Sequence, residues 1–191
     1  MADLEVVVGE VETPVGVFGA VVTLRGLSRL IFPGEDFGQC EAWVTRWEPG
    51  AIRSPDGSAL QHLGEQLTAY FEGTLREFTV PLDLRGTPFQ LRVWEALQEV
   101  GYGELRTYGK VASGIGALKA VRAVGAANGA NPVPIIVPCD RIIGSNGRLV
   151  GYGGGLDMKR RLLEREGVMS AFEPSQPLVA NVRPLVAARR A

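Results

Sequence analysis

The stretch Arg85-Gly86-Thr87-Pro88 constrains the fold more than any other, because the sequence changes character across it. Before it, valine-rich and β-branched runs at 5–12, 17–24 and 27–32 are separated by the turn signals Thr13-Pro14-Val15-Gly16 and Arg25-Gly26, which predicts a meander of strands. A helix is expected at 59–71, where Leu60, Leu63, Leu67 and Phe71 recur at helical spacing, with Ser58 as its N-cap. Residues 79–84 read as a further strand, placed at an edge by Pro81. After the boundary, helical signals dominate. Phe89, Val93, Leu97 and Val100 define a helix at 89–100 that opens on the cap pair Thr87-Pro88. Thr107 caps a short helix at 108–112, and Ser113-Gly114 separates it from a second at about 118–128. Two short helices joined through a glycine-containing turn are a candidate helix-turn-helix. The expected class is α+β, with a small sheet-and-helix domain at 1–86, a mainly helical domain at 87–167 and a tail at 168–191.

Composition narrows the possible chemistry. With 46% hydrophobic and 21% charged residues in 191, the chain can bury a core and is not disordered throughout. No apolar run approaches the roughly 18 residues a membrane span needs, and the acidic start does not resemble a signal peptide. Two cysteines, Cys40 and Cys139, and one histidine, His62, build neither a disulfide framework nor a structural metal site. They point to a reducing, cytoplasmic setting. No cofactor and no metal is expected. His62, on the predicted 59–71 helix, reads as a surface or boundary residue. The net charge of −1 conceals an asymmetry. Residues 1–86 hold 6 Lys/Arg against 13 Asp/Glu, whereas 87–167 hold 11 against 7 and the tail 3 against 1. A basic half is compatible with a polyanionic partner and equally with solvated charge.

The second helix of the candidate pair is built almost wholly of small side chains around one long cation, Arg122. Small residues permit close approach, either to a neighbouring helix or to a nucleic-acid backbone with Arg122 reaching inward. Further on, Ile135–Val137 reads as a short buried strand ended by Pro138, so that Cys139 would project from a rigid bend. A cysteine beside an apolar strand is usually inert core, but this one is flanked by proline, aspartate and arginine. The glycines at 151, 153, 154 and 155 fit a loop approaching a flat ligand or a tight turn without one. A cationic helix is expected at 157–166.

The ordered segments Thr87-Pro88-Phe89-Gln90, Val93-Trp94, Tyr102-Gly103-Glu104, Tyr108-Gly109, Arg122-Ala123-Val124-Gly125, Asn131 to Cys139, Arg141, Gly151-Tyr152-x-Gly154-Gly155 and Lys159-x-x-Leu162-Leu163-x-x-Glu166-Gly167 resemble the O6-alkylguanine-DNA alkyltransferase family over about residues 87–167. The resemblance implies a winged helix-turn-helix-like domain that binds the minor groove of double-stranded DNA, flips a damaged O6-alkylguanine out and moves its alkyl group irreversibly to Cys139. Extrusion is needed because O6 cannot be reached inside the stack. It further implies that Tyr108 donates to guanine N3, that Asn131 braces the turn before the cysteine, and that Glu166 ends a proton relay. Arg122, Ala123, Gly125, Ala127, Asn128 and Arg141 would contact DNA. Pro134, Ile142, Tyr152, Gly153, Gly154 and Lys159 would line the guanine pocket. A monomer without membrane association is expected, and the zinc ligands of some members have no counterpart.

One departure stands out. The family reads Pro-Cys-His-Arg where this chain has Pro138-Cys139-Asp140-Arg141. A carboxylate is ordinarily a weaker base than imidazole, and an anion opposes thiolate formation. Two readings follow: Asp140 relays the proton and transfer survives, slowed, or the protein binds alkylated DNA as a sensor and transfers poorly. A sequence-specific transcription regulator is a third reading, disfavoured by the scarcity of polar base-reading side chains at 120–130. The alkyl-transfer reading asks for a sulfur at the mouth of a cavity, neither sealed from solvent nor turned away from the small-residue helix.

Overall fold

The computed structural model describes residues 5–168, so the tail expected from 168 onward lies almost entirely outside the described residues. The chain divides into two units, one comprising residues up to Arg85 together with Pro132–Pro134, the other Gly86–Asn131 and the chain from Ile135.

In the first unit β1 (Glu5–Thr13), β2 (Gly16–Thr23) and β3 (Gly26–Ile31) form an antiparallel meander, and the short β4 (Ile52–Arg53) adds in parallel to β1, giving the order β3-β2-β1-β4. Side chains alternate across a strand, and β1 uses both faces. Val6 and Val8 join Val21, Ile31 and the buried Cys40 and Val44 of α1 (Gly38–Trp47). Gly9 and Val11 meet α2 (Ser58–Glu72), where a Cβ at Gly9 would lie 2.6 Å from Leu60. Phe18 stacks on Phe71, with centroids 6.0 Å apart.

Three expectations change here. Helix α1 was not foreseen; its buried face is little more than Cys40 and Val44, too few apolar positions to show a period. The N-cap of α2 is Gly57, not Ser58, which opens the helix while its N–H donates to Asp56 Oδ1 at 2.9 Å. The strand expected at 79–84 is a single bridge, Leu27 to Leu82. Leu27 N–H donates to Pro81 O and Asp83 N–H to Leu27 O, and a proline without an N–H cannot extend that ladder.

The second unit is mainly helical. Helix α3 (Pro88–Gln98) starts with a complete capping box: Thr87 Oγ1 accepts from Gln90 N–H, and Gln90 Oε1 accepts from Thr87 N–H at 2.8 Å. Gly86 admits the Trp94 ring, which would lie 2.6 Å from any Cβ there. Trp94 Nε1 donates to Ala127 O at 2.8 Å, tying α3 to α5 (Val121–Gly129), which follows a 3-10 turn at Leu118–Ala120. Between them β5 (Arg106–Thr107) pairs in parallel with β6 (Ile142–Ile143), and Thr107 caps α4 (Tyr108–Gly114) by accepting from Lys110 N–H. Helix α6 (Gly155–Arg165) buries Leu162 and Leu163, the latter against Leu105 and Ile143. Sheet-and-helix followed by helix-turn-helix is an α+β architecture. Among the described residues no helix is long and apolar enough to cross a membrane, and no cluster of His, Cys, Asp or Glu could hold a metal ion.

Candidate active site

The segment leading to Cys139 is not the strand that its apolar residues suggest. Ile135 and Ile136 occupy a turn, with Ile135 at φ 74°, a left-handed conformation that costs a β-branched residue dearly. Pro134 and Pro138 bracket the run and donate nothing to a ladder. Asn131 stabilises the turn, its Nδ2 donating to Val137 O at 2.8 Å. Cys139 then opens a 3-10 turn, Cys139–Arg141, whose Cys139 carbonyl accepts from Ile142 N–H.

Cys139 is buried, only 4% exposed. The expectation of a sulfur open at the mouth of a cavity is therefore corrected. The turn sinks the residue among buried neighbours instead of projecting it from a bend. Burial, and after it the Asp140 carboxylate, push its thiol up to about 12, while the Asn131 amide and the Lys159 ammonium act in the opposite direction. Tyr108, half-buried at the start of α4, lies close enough to Cys139 for a thiolate to raise its phenol, after the larger effect of burial. The Tyr108 ring would in turn sit 3.9 Å from a Cβ on Gly125 of α5.

Asp140 is 1% exposed, and neither carboxylate oxygen hydrogen-bonds to another residue among the described residues. Burial dominates in raising its pKa to about 7; Arg141 and Lys159 lower it, Glu166 raises it. The low basicity of a free aspartate therefore does not carry over to this site. Lys159 is wholly buried, and desolvation brings it down to about 8. Its Nζ donates to Ile142 O at 2.6 Å and Val150 O at 3.0 Å and lies 5.9 Å from the Tyr152 ring centroid. The ammonium thus anchors α6 to the backbone that follows the cysteine.

The carboxylate of Glu166 is held by Arg141 rather than by the residue after the cysteine. Arg141 Nη2 and Nε reach Glu166 Oε1 at 2.8 Å and Oε2 at 3.0 Å, Nη1 donates to Val100 O at 2.6 Å, and Gly103 N–H donates to Glu166 Oε2 at 3.0 Å. Arg141, expected at DNA, is thus 7% exposed and engaged with interior partners. Ala127 and Asn128 also face inward, both 3% exposed, with Val124 on the buried side of α5. Arg122 and Ala123 are exposed, Gly125 half-buried. Gly153 and Gly154 lie in the turn before α6, with Gly154 as its N-cap, and Tyr152 is half-buried. Pro134 groups with the first unit.

Sequence comparison assigns residues 6–84 to the 6-O-methylguanine DNA methyltransferase ribonuclease-like domain and residues 88–168 to the 6-O-methylguanine DNA methyltransferase DNA binding domain. The chain is 57% identical over 121 residues to a methylated-DNA–protein-cysteine methyltransferase of Mycobacterium tuberculosis, covering 63% of this chain and 73% of the relative. It is 44% identical over 144 residues to an inducible counterpart of Bacillus subtilis, covering 75% and 80%. The crystal structure of Mycobacterium tuberculosis O6-methylguanine methyltransferase is similar at 43% identity and a TM-score of 0.72, over 88% of this chain and 96% of that one. A structure of the Mycobacterium tuberculosis protein in complex with DNA matches at 45% and 0.70, over 85% and 92%. A buried cysteine beside a phenol, on a domain carrying a helix-turn-helix, thus has a defined setting: the chain belongs to the methylated-DNA–protein-cysteine methyltransferase family.

Proposed function

We propose that this protein repairs DNA by flipping O6-alkylguanine out of the duplex and transferring the alkyl group to Cys139, acting as a cytoplasmic monomer through the minor groove. The observation that carries the reading is the grouping of Cys139 with Tyr108, Asn131, Asp140 and Lys159 in one unit. Asp140, poised near neutrality, takes the thiol proton. The sulfur attacks the alkyl carbon, the carbon–O6 bond breaks, and Tyr108 hydrogen-bonds guanine N3 as charge develops on the departing ring. Asn131 holds the turn, Lys159 favours the thiolate, and Arg122 fills the space left in the stack. The carbonyls of Cys139 and Ile142 accept from the exocyclic amine, Gly153 N–H faces O6, and Tyr152 and Gly154 bound the base. Glu166 acts indirectly, by neutralising Arg141 and so leaving Asp140 as the proton acceptor. The product is a thioether with no easy route back, so each molecule acts once. With Cys139 so little exposed, admission of the base requires local opening. The damage-sensor alternative is not favoured, because the cysteine and its neighbours are retained and the relatives above are named as methyltransferases.

Intact-mass analysis after incubation with fluorescent O6-benzylguanine is expected to show one adduct per chain, absent from Cys139→Ala. An unmodified mass after prolonged incubation, with duplex binding intact, would overturn the reading.

A further inference from the structure

Arg122 is not alone on the outer surface of its helix. Leu118 is 70% exposed and Val121 40% exposed, the only large apolar side chains among the described residues of 101–149 that are so open. Leu118 begins the 3-10 turn and Val121 begins α5. Residues three apart are neighbours on a helical surface, which puts Leu118 and Val121 together, and the exposed Arg122 follows Val121 in the chain. Continuing that row by one helical step reaches Gly125, over which the Tyr108 ring lies, and Tyr108 is the residue coupled to Cys139. Packing gives no reason for the exposure, since α5 buries Val124, Ala127 and Asn128 instead.

The surroundings identify what would cover this surface. From Leu105 to Cys139 the sequence contains no aspartate or glutamate but four cations, Arg106, Lys110, Lys119 and Arg122, of which the last three are exposed. An apolar pair framed by cations and free of acids is complementary to a polyanion with an apolar interior. A duplex at a separated base step has that character, and minor-groove proteins insert leucine or similar wedges into such steps. From this juxtaposition we propose that Leu118 and Val121 form an apolar wedge that enters the minor groove beside Arg122 and holds apart the base step flanking the extruded guanine. This deepens the reading above, with which it shares the site and the duplex partner.

The two ideas separate experimentally. Free O6-benzylguanine needs Cys139 chemistry but no strand opening, whereas O6-methylguanine within a duplex needs both. Leu118→Ala with Val121→Ala is expected to leave labelling by the free base unchanged and to slow single-turnover transfer from saturating duplex about tenfold, the effect of losing one apolar contact of the usual size. Leu118→Met retains most of the rate. 2-Aminopurine placed beside the lesion brightens on binding the parent and stays quenched with the double variant, a readout that needs no alkyl transfer. Lys119→Gln, by contrast, weakens binding and lowers the salt slope by about 1. Equal slowing of free and duplex substrates, an unchanged duplex rate, or 2-aminopurine emission identical to the parent would each overturn the wedge. Failure of the parent to label with the free base would instead remove the alkyl-transfer reading.

Discussion

Asp140 is where the physical chemistry of a single residue decides most. A carboxylate lifted to about 7 is a far better proton acceptor than its ordinary form, and the lift comes first from burial. If it receives the thiol proton, labelling by O6-benzylguanine rises with pH through about 7, because the protonated acid below that point cannot accept. Asp140→Asn should flatten this profile and slow labelling by at least about 10²-fold, the lower bound for losing a general base. Stopped-flow fluorescence across pH 5–9 reads both. Asp140→His is expected to label faster than the parent at pH 7.5; slower labelling would refute the relay. Stability supplies an independent check with a fixed sign. Asp140 binds its proton more tightly in the folded state than in the unfolded one, so its contribution is full below about pH 4 and lost as pH rises through 7. Asp140→Asn should therefore gain thermal stability relative to the parent between pH 4 and pH 8, by at most about 4 kcal/mol for a shift of this size.

At the scale of elements, local chemistry and tertiary pairing make different demands on the reader of a sequence. The meander and the start of α3 were legible because valine runs, turn dipeptides and a Thr-Pro cap act within a few residues of one another. Helix α1 and the turn at Ile135 were not, since the first has a two-residue buried face and the second rests on Asn131 binding Val137 O at a distance of six residues. The Arg141–Glu166 pair is the clearest case of a partner that no local pattern discloses, being separated by 25 residues. It joins the end of α6 to the carbonyl of Val100 and the N–H of Gly103. Removing one charge leaves the other buried, so Glu166→Gln should cost about 3–5 kcal/mol in urea denaturation. Replacing both by Arg141→Met and Glu166→Leu should cost clearly less, and equal losses in the single and double variants would count against an electrostatic role for the pair.

For the whole molecule, the division of charge shows how affinity for DNA is distributed along the chain. An acidic residue set at 1–86 repels phosphate, and the basic set at 87–167 attracts it; pattern alone revealed this, although it could not say which cations are exposed. The structure buries Arg106, Arg141 and Lys159 of that set and leaves Lys110, Lys119 and Arg122 exposed on the acid-free stretch. If those three meet phosphates, each releases about 0.9 of a counterion, and the logarithm of affinity falls with the logarithm of salt at a slope of about −3. Raising salt from 50 to 200 mM should then weaken duplex binding about 50-fold in fluorescence anisotropy. Labelling by the uncharged free base should hardly change over the same range. The contrast locates the salt dependence in docking rather than in chemistry: a flat binding curve would remove the three cations from the interface, and a matching loss in free-base labelling would place the effect in the fold.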